Sequence, residues 1–323
     1  MTKNKLLEIL EQNRGCAVSG QLLAEKLNVS RNAVNKAVRE LRREGYLIEA
    51  ATNKGYKLLS QNDILSAEGI SVNLIKPLSG IFIYKELEST NQTAKQMAVN
   101  GEKNATIIIS DSQSAGRGRM GRSFYSPPGS GVYMSVILHP DLKADKCAQV
   151  TTLAAVAVCK AVEKLFNVSP KIKWVNDILL DNKKVCGILT EAVTDFESGN
   201  VDFVVVGIGI NVKTKDFPAE LKNKAGSLLQ NGTEINVPRN RLIAEILNEF
   251  FDMLPGLGSG LIIDEYKKRC VVIGREIKFQ NGDKTVSAKA VDIDNLGGLI
   301  IRLLNGERQT LTAGEIIMTD LYS

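Results

Sequence analysis

Seven consecutive residues, Gly116-Arg117-Gly118-Arg119-Met120-Gly121-Arg122, hold three glycines and three arginines. Apolar runs flank them: Thr106 to Ser110 before, Val132 to Leu138 after. The first reads as a buried strand and the second as another strand, so the segment is a long loop between strands. Glycines let its backbone adopt positive φ and approach a ligand closely. Arginines supply permanently charged, planar donors suited to carboxylate and phosphate oxygens. The loop is built to close on an anion.

The remaining chain limits which anion. At 323 residues there is length for two or three domains. No apolar run reaches the ~18 residues that a membrane span needs. The start, Met1-Thr2-Lys3-Asn4-Lys5, lacks the apolar core of a signal peptide, so a cytoplasmic protein with no membrane partner is expected. Five cysteines form no Cys-x-x-Cys pair and read as reduced, mostly buried thiols. A single histidine, His139, argues against a zinc site or a Ser-His-Asp triad and reads as a surface turn residue. Of 41 basic and 36 acidic residues, 11 and 6 lie in the first sixty positions, leaving 30 of each elsewhere. The net charge of +5 therefore resides in an N-terminal module, as expected for one that faces a polyanion.

That module has helical spacing over Lys3–Glu11. Ser19 is placed to cap a helix over Gly20–Leu27, and Ser30 to cap another over Arg31–Glu44. Strand-like runs Tyr46–Ala50 and Tyr56–Leu59 follow, joined by a turn containing Asn53-Lys54-Gly55. Two helices, a tight turn and a β-ribbon resemble a winged helix-turn-helix. Its DNA-facing candidates are Ser19, Ser30, Arg31, Asn32, Asn35, Lys36 and Arg39, with Lys54 at the wing tip. A solvated charged helix on a protein–protein module is the competing reading.

Downstream, Ile81–Leu87 alternates as a strand and leads into Ser89-Thr90-Asn91 at the start of a helix. Ordinary capping accounts for one of these polar residues but not for three in a row. Thr151–Phe166 is small and apolar nearly all round, hence a buried helix. Lys173-Trp174-Val175-Asn176-Asp177 precedes a hairpin that carries Lys184 and Gly187. The strand Phe203–Val212 ends in Gly207-Ile208-Gly209-Ile210-Asn211, where two glycines suit close approach of a ligand. From Val271 onward, strands and Gly-containing turns read as a small antiparallel barrel.

Together these pieces resemble the bifunctional biotin–protein ligase/biotin operon repressor family. The resemblance covers essentially the whole chain. It departs at Val175, where the family usually has proline, and at Phe124, where it usually has tryptophan. It implies an α+β multidomain fold: a winged helix-turn-helix (1–63), a linker (64–80), a ligase domain with a mixed sheet (81–270) and an SH3-like β domain (271–323). It implies an enzyme that joins biotin to ATP as biotinyl-5'-AMP, acylates a lysine of a biotin carboxyl carrier protein, and represses operator DNA as a homodimer promoted by that adenylate. The residues it points to for biotin are Ser89, Thr90, Asn91, Gln113, Gly116, Arg117, Gly118, Arg119, Lys184 and Gly187. For ATP they are Arg119, Arg122, Phe124, Lys173, Asn176, Asp177, Lys184 and Asn211. Catalysis would fall to Lys184, Arg119 and Asp177, with Asp177 also the Mg²⁺ ligand. A lipoate-type ligase and a non-enzymatic biotin-sensing regulator are the alternatives.

Overall fold

The computed structural model describes residues 2–51, 54–141, 143, 146–194, 200–229 and 237–318. By packing, the chain divides into two units: Met1–Pro77 with Gly232–Glu245, and Leu78–Asn231 with Ile246–Ser323.

The first unit begins with helices α1 (Thr2–Gln12), α2 (Gly20–Leu27) and α3 (Arg31–Arg43). Ser19 Oγ accepts from Leu22 N at 3.1 Å and Ser30 Oγ from Ala33 N at 3.2 Å, so both expected caps are made. Leu6, Leu10, Leu23, Val34, Val38 and Leu41 bury the apolar stripes of the three helices in one core. The ribbon pairs β1 (Ile48–Ala51) with β2 (Gly55–Leu58) in antiparallel register. Gly55 has φ +97°, and a Cβ there would lie 2.0 Å from Val18 O. Only glycine lets the wing return against Val18, which exchanges two backbone hydrogen bonds with Tyr56. Asn53, part of the expected turn, lies outside the described residues. Within the expected linker sits a short helix, α4 (Ala67–Ser71), capped by Ser66.

The second unit is built on a seven-stranded mixed sheet. Its strands are β3 (Gly80–Tyr84), β4 (Thr106–Ser110), β5 (Gly131–Leu138), β6 (Lys171–Lys173), β7 (Asp177–Leu180), β8 (Lys183–Thr194) and β9 (Val201–Asn211). Their order is β3-β4-β5-β9-β8-β7-β6, and only β3 and β4 run parallel. Helix α5 (Thr90–Val99) covers one face, packing Ala94 and Ala98 against Ile108, Ile137, Phe203 and Val205. Helix α6 (Cys147–Phe166) covers the other. Its Thr151 hydroxyl bonds Thr190, which alternates with the α5-facing Leu189 and Glu191. As the all-round apolar pattern predicts, most of α6 is buried.

Helix α7 (Arg239–Met253) precedes α8 (Leu261–Arg269), which packs on α6. The five-stranded antiparallel C-terminal sheet has order β13-β12-β11-β10-β14, comprising β10 (Glu276–Asn281), β11 (Lys284–Ile293), β12 (Leu299–Leu303), β13 (Arg308–Leu311) and β14 (Ile316–Met318). The central domain holds this sheet through Trp174 Nε1, which donates to Gly297 O at 2.9 Å, and Gln149 Nε2, which donates to Asn295 O at 2.9 Å. The expectation of mostly buried thiols is met by Cys159 and Cys186. Cys147 and Cys270 are half-buried, Cys16 is exposed, and none of the five is in a disulfide. His139 is exposed and its ring packs on Phe203. Among the described residues no helix is long and apolar enough to cross a membrane.

Candidate active site

The α5 face of the sheet carries a cavity of about 530 Å³. Glycines make its floor. Gly187 and Gly209 face one another across β8 and β9, and Gly207 lies two residues along β9 from Gly209. A Cβ on Gly209 would lie 2.7 Å from Phe124 Cε1, and one on Gly207 would lie 2.1 Å from Asn91 Oδ1. Side chains from outside the sheet thus lie directly on its backbone.

The polar wall comes from the start of α5. Ser89 occupies the N-cap position, yet its hydroxyl makes no capping bond. Gln113 Oε1 instead accepts from Thr90 N at 2.9 Å, and Gln113 Nε2 donates to Ser126 Oγ at 2.8 Å. Asn91 Nδ2 donates to Leu189 O at 3.1 Å and Glu191 Oε2 at 2.8 Å. Ser89, Thr90 and Asn91 are buried and all three line the cavity.

The Gly/Arg loop folds as a short hairpin over the opening. Phe124 N donates to Gly116 O at 2.8 Å, Gly118 N to Arg122 O at 2.7 Å, and Met120 turns the apex at φ +54°. A Cβ on Gly116 would lie 2.4 Å from Phe124 O, so this pinch requires glycine. Arg117, Arg119 and Arg122 line the cavity. Arg119 Nη1 donates to Asn176 Oδ1 at 3.2 Å, and Asn176 Nδ2 to Ile188 O at 2.7 Å. Arg122 pairs with Glu315, one bond being 2.7 Å. Phe124 lies edge-on to Tyr133, with ring centroids 6.3 Å apart.

Lys184 reaches the cavity through a β-bulge. Asp177 pairs with Gly187 and Ile178 with Cys186, but Leu179 pairs with Lys184, leaving Val185 as an extra residue. Regular alternation would put Lys184 on the α6 face, opposite Gly187. The bulge returns it to the cavity side, together with Asp177 and Leu179. Its Nζ then lies 2.6 Å from Asp177 Oδ1. The backbone of Lys184 is flanked by the segment Lys224–Gly226: Lys184 N donates to Lys224 O at 2.8 Å and Gly226 N to Lys184 O at 2.9 Å. Burial pushes the Lys173 ammonium below its ordinary range, against the opposing pull of Asp177. The Trp174–Val175 peptide bond, at the position where proline was noted as usual, is cis. Among the described residues no group of three or more His, Cys, Asp or Glu side chains gathers to hold a metal.

Most of the expected ligand residues therefore line one cavity. Gly116 and Asn211 do not. Gly116 serves through its backbone, and Asn211 is buried, its Oδ1 lacking a partner among the described residues. The sequence reading gave no role to Ser126, Ser135, Glu191, Lys224 or the segment Gly314–Ile317, and named Trp174 only as part of the Lys173–Asp177 motif. The resemblance pointed Arg122 toward ATP; nothing local in the sequence marked Glu315, its partner 193 positions away.

In the first unit, Arg31, Asn32, Asn35, Lys36 and Arg39 are all exposed on α3, and Lys54 is exposed in the wing. Arg31 Nε donates to Gln21 Oε1 at 2.7 Å, which ties the start of α3 to α2.

A cation-lined cavity with a neutral polar end suits a ligand that joins an uncharged head to a carboxylate, and beside it a phosphate. Comparison with known proteins agrees. Residues 83–211 match the biotin/lipoate A/B protein ligase family, 2–57 an HTH domain, and 272–318 the biotin protein ligase C-terminal domain. The bifunctional ligase/repressor BirA of Bacillus subtilis is 37% identical over 319 residues, covering 96% of this chain and 97% of the relative. The BirA of Escherichia coli is 28% identical over 288 residues, covering 88% and 87%. The structure of the biotin protein ligase from Aquifex aeolicus in complex with biotin and ATP superposes with a TM-score of 0.62 at 26% identity, covering 74% of this chain and 97% of that one. On the extent of these matches, the chain belongs to the family of bifunctional biotin ligase/repressors.

Proposed function

We propose that the chain condenses biotin with ATP, passes the biotinyl group to a lysine of a biotin carboxyl carrier protein, and binds operator DNA through its N-terminal unit. In the first step a carboxylate oxygen of biotin attacks the α-phosphorus, the bond to the β-phosphate oxygen breaks, and pyrophosphate leaves. In the second the neutral amine of the carrier lysine attacks the acyl carbon, AMP leaves with the bonding pair, and the nitrogen releases one proton to solvent. Both steps concentrate negative charge, so preorganised cations do the main work.

One observation supports this most directly: the bulge in β8 that brings Lys184 to the same cavity as Arg119 and the Ser89–Asn91 wall. Lys184 would bridge carboxylate and α-phosphate. Arg117 and Arg119 would meet the same oxygens, and Arg122 the outer phosphates. Ser89, Thr90, Asn91 and Gln113 would hold the head group, Gly116, Gly118 and Gly187 giving close backbone approach. Phe124, Lys173, Asn176 and Asn211 would lie toward the nucleotide. Closure of the Gly/Arg loop would shield the mixed anhydride from water. Mg²⁺ is ordinarily held by one or two carboxylates together with substrate phosphates and water. Among the described residues two carboxylates line the cavity, Asp177 and Glu315, and Asp177 fits an ion brought in by the nucleotide, whose charge would neutralise the phosphates.

For DNA, α3 would enter the major groove with Arg31, Asn32, Asn35, Lys36 and Arg39. Ser19, Ser30 and Lys54 would meet the backbone. We propose the domain limits 1–63, 81–270 and 271–323, with 64–80 as connector, and dimerisation promoted by the adenylate. Any such coupling requires the dimer to bind adenylate more tightly than the monomer does. Incubation with labelled biotin, ATP and a carrier domain tests the ligase, with label on the carrier lysine expected. A carrier that stays unlabelled rejects it. Sedimentation and operator binding, each with and without biotin plus ATP, test the switch, and indifference to the ligands rejects that part alone.

A further inference from the structure

We infer that Glu191 is a positioning residue that sets the hydrogen-bonding sense of the head-group wall and makes it an acceptor for ligand N–H groups of the cyclic-urea kind. The inference rests on reading that wall as the biotin site. Glu191 lies on β8 behind the wall and does not line the cavity. Its carboxylate accepts from Asn91 Nδ2 at 2.8 Å and pairs with Lys95. With Leu189 O taking the other amide proton at 3.1 Å, both N–H groups of Asn91 are committed and its orientation is fixed. Asn91 Oδ1 can then only accept.

The consequence passes along a chain of hydroxyls. Ser135 Oγ lies 2.7 Å from Asn91 Oδ1 and 2.8 Å from Thr90 Oγ1. A hydroxyl has one proton to give. Asn91 Oδ1 has none, so Ser135 donates there, and the proton between Ser135 and Thr90 must come from Thr90. Thr90 Oγ1 could also donate to Gln113 Oε1, 3.2 Å away, but its one proton serves only one partner and the Ser135 contact is the shorter at 2.8 Å; Gln113 Oε1 already accepts from Thr90 N at 2.9 Å. With the threonine proton turned toward Ser135, no proton remains between these two oxygens. They form a pair of acceptors in the cavity lining, the arrangement that a ligand N–H bridges. Turning the Asn91 amide over would reverse the chain, put the threonine proton on Gln113 and fill that place. Glu191, by charge-assisted acceptance, holds the productive sense.

The test is calorimetric titration of the full chain with biotin and with a biotin derivative methylated on one ureido nitrogen. Wild type should strongly prefer biotin. Glu191→Ala and Ser135→Ala should each bind biotin about tenfold more weakly and lose most of that preference, with the KM for ATP unchanged. Glu191→Gln keeps an oxygen acceptor and should stay within about twofold of wild type. Alanine variants with wild-type affinity and preference overturn the inference. So does a glutamine variant as impaired as the alanine one, because the role would then not be acceptance. Where Glu191→Ala fails to fold, Ser135→Ala and Glu191→Gln carry the same comparison. A wild-type chain that ignores biotin overturns the reading of the site itself, a result separate from either.

Discussion

Gly207 lies directly beneath Asn91: a Cβ added to the glycine would sit 2.1 Å from Asn91 Oδ1. Asn91 cannot swing aside without giving up Leu189 O and Glu191. Gly207→Ala should therefore weaken biotin binding roughly tenfold or more, overpacking of a fixed neighbour costing about 1–3 kcal/mol. Calorimetry reads this directly, and unchanged affinity would show that the wall yields more easily than its bonds imply.

Lys184 and Asp177 form an ion pair whose geometry depends on the Val185 bulge. Lys184→Ala should slow pyrophosphate release with biotin and ATP by about a hundredfold or more, the usual cost of losing one preorganised donor. The far-ultraviolet circular dichroism spectrum should be unchanged. A variant that forms adenylate at the normal rate would assign the chemistry elsewhere.

The Arg122–Glu315 pair ties the loop to the C-terminal sheet, yet the side chains are 66% and 41% exposed. Such a pair contributes about 0–1 kcal/mol. Glu315→Ala should move Tm by no more than ~3 °C. Arg122→Ala should raise the KM for ATP about tenfold and leave that for biotin alone, as loss of a charge-assisted phosphate contact does. Steady-state kinetics separates the two constants.

Arg269 joins α8 to α6, donating twice to the Glu163 carboxylate at 2.8 Å and once to the Glu265 carboxylate at 2.7 Å. Hydrogen bonds from Lys268 and then Arg269 pull the Glu265 carboxyl from its ordinary 4.5 down to about 2. A depressed carboxyl contributes stability above its unfolded value and loses it as pH falls through the folded one. The wild-type advantage over Arg269→Met, roughly 1–3 kcal/mol at neutral pH, should therefore shrink between about pH 4.5 and 2. Thermal melts of both proteins across that range decide it. A constant difference would mean that packing, not charge, separates them.

The caps at Ser19 and Ser30, the buried helix α6 and the Gly/Arg loop were legible in the sequence because each depends on neighbours within a few positions. The roles of Ser135 and Glu191 were not, since they follow from strand register and from contacts with residues 44 to 100 positions away. Glu315 reaches Arg122 across 193 positions and sits beside β14, a strand too short for periodicity to mark. Ser89 stands at an N-cap, as its residue type suggests, but its hydroxyl does not cap the helix. Local preference identified the position without its use.

The extra residue at Val185 also limits how this sheet can change. Regular pairing of β7 and β8 with Val185 kept in the strand would look like an improvement by every local measure of strand quality. It would also turn position 184 toward α6. A protein tidied toward an ideal sheet at its present length would thus lose its central cation before it lost its fold.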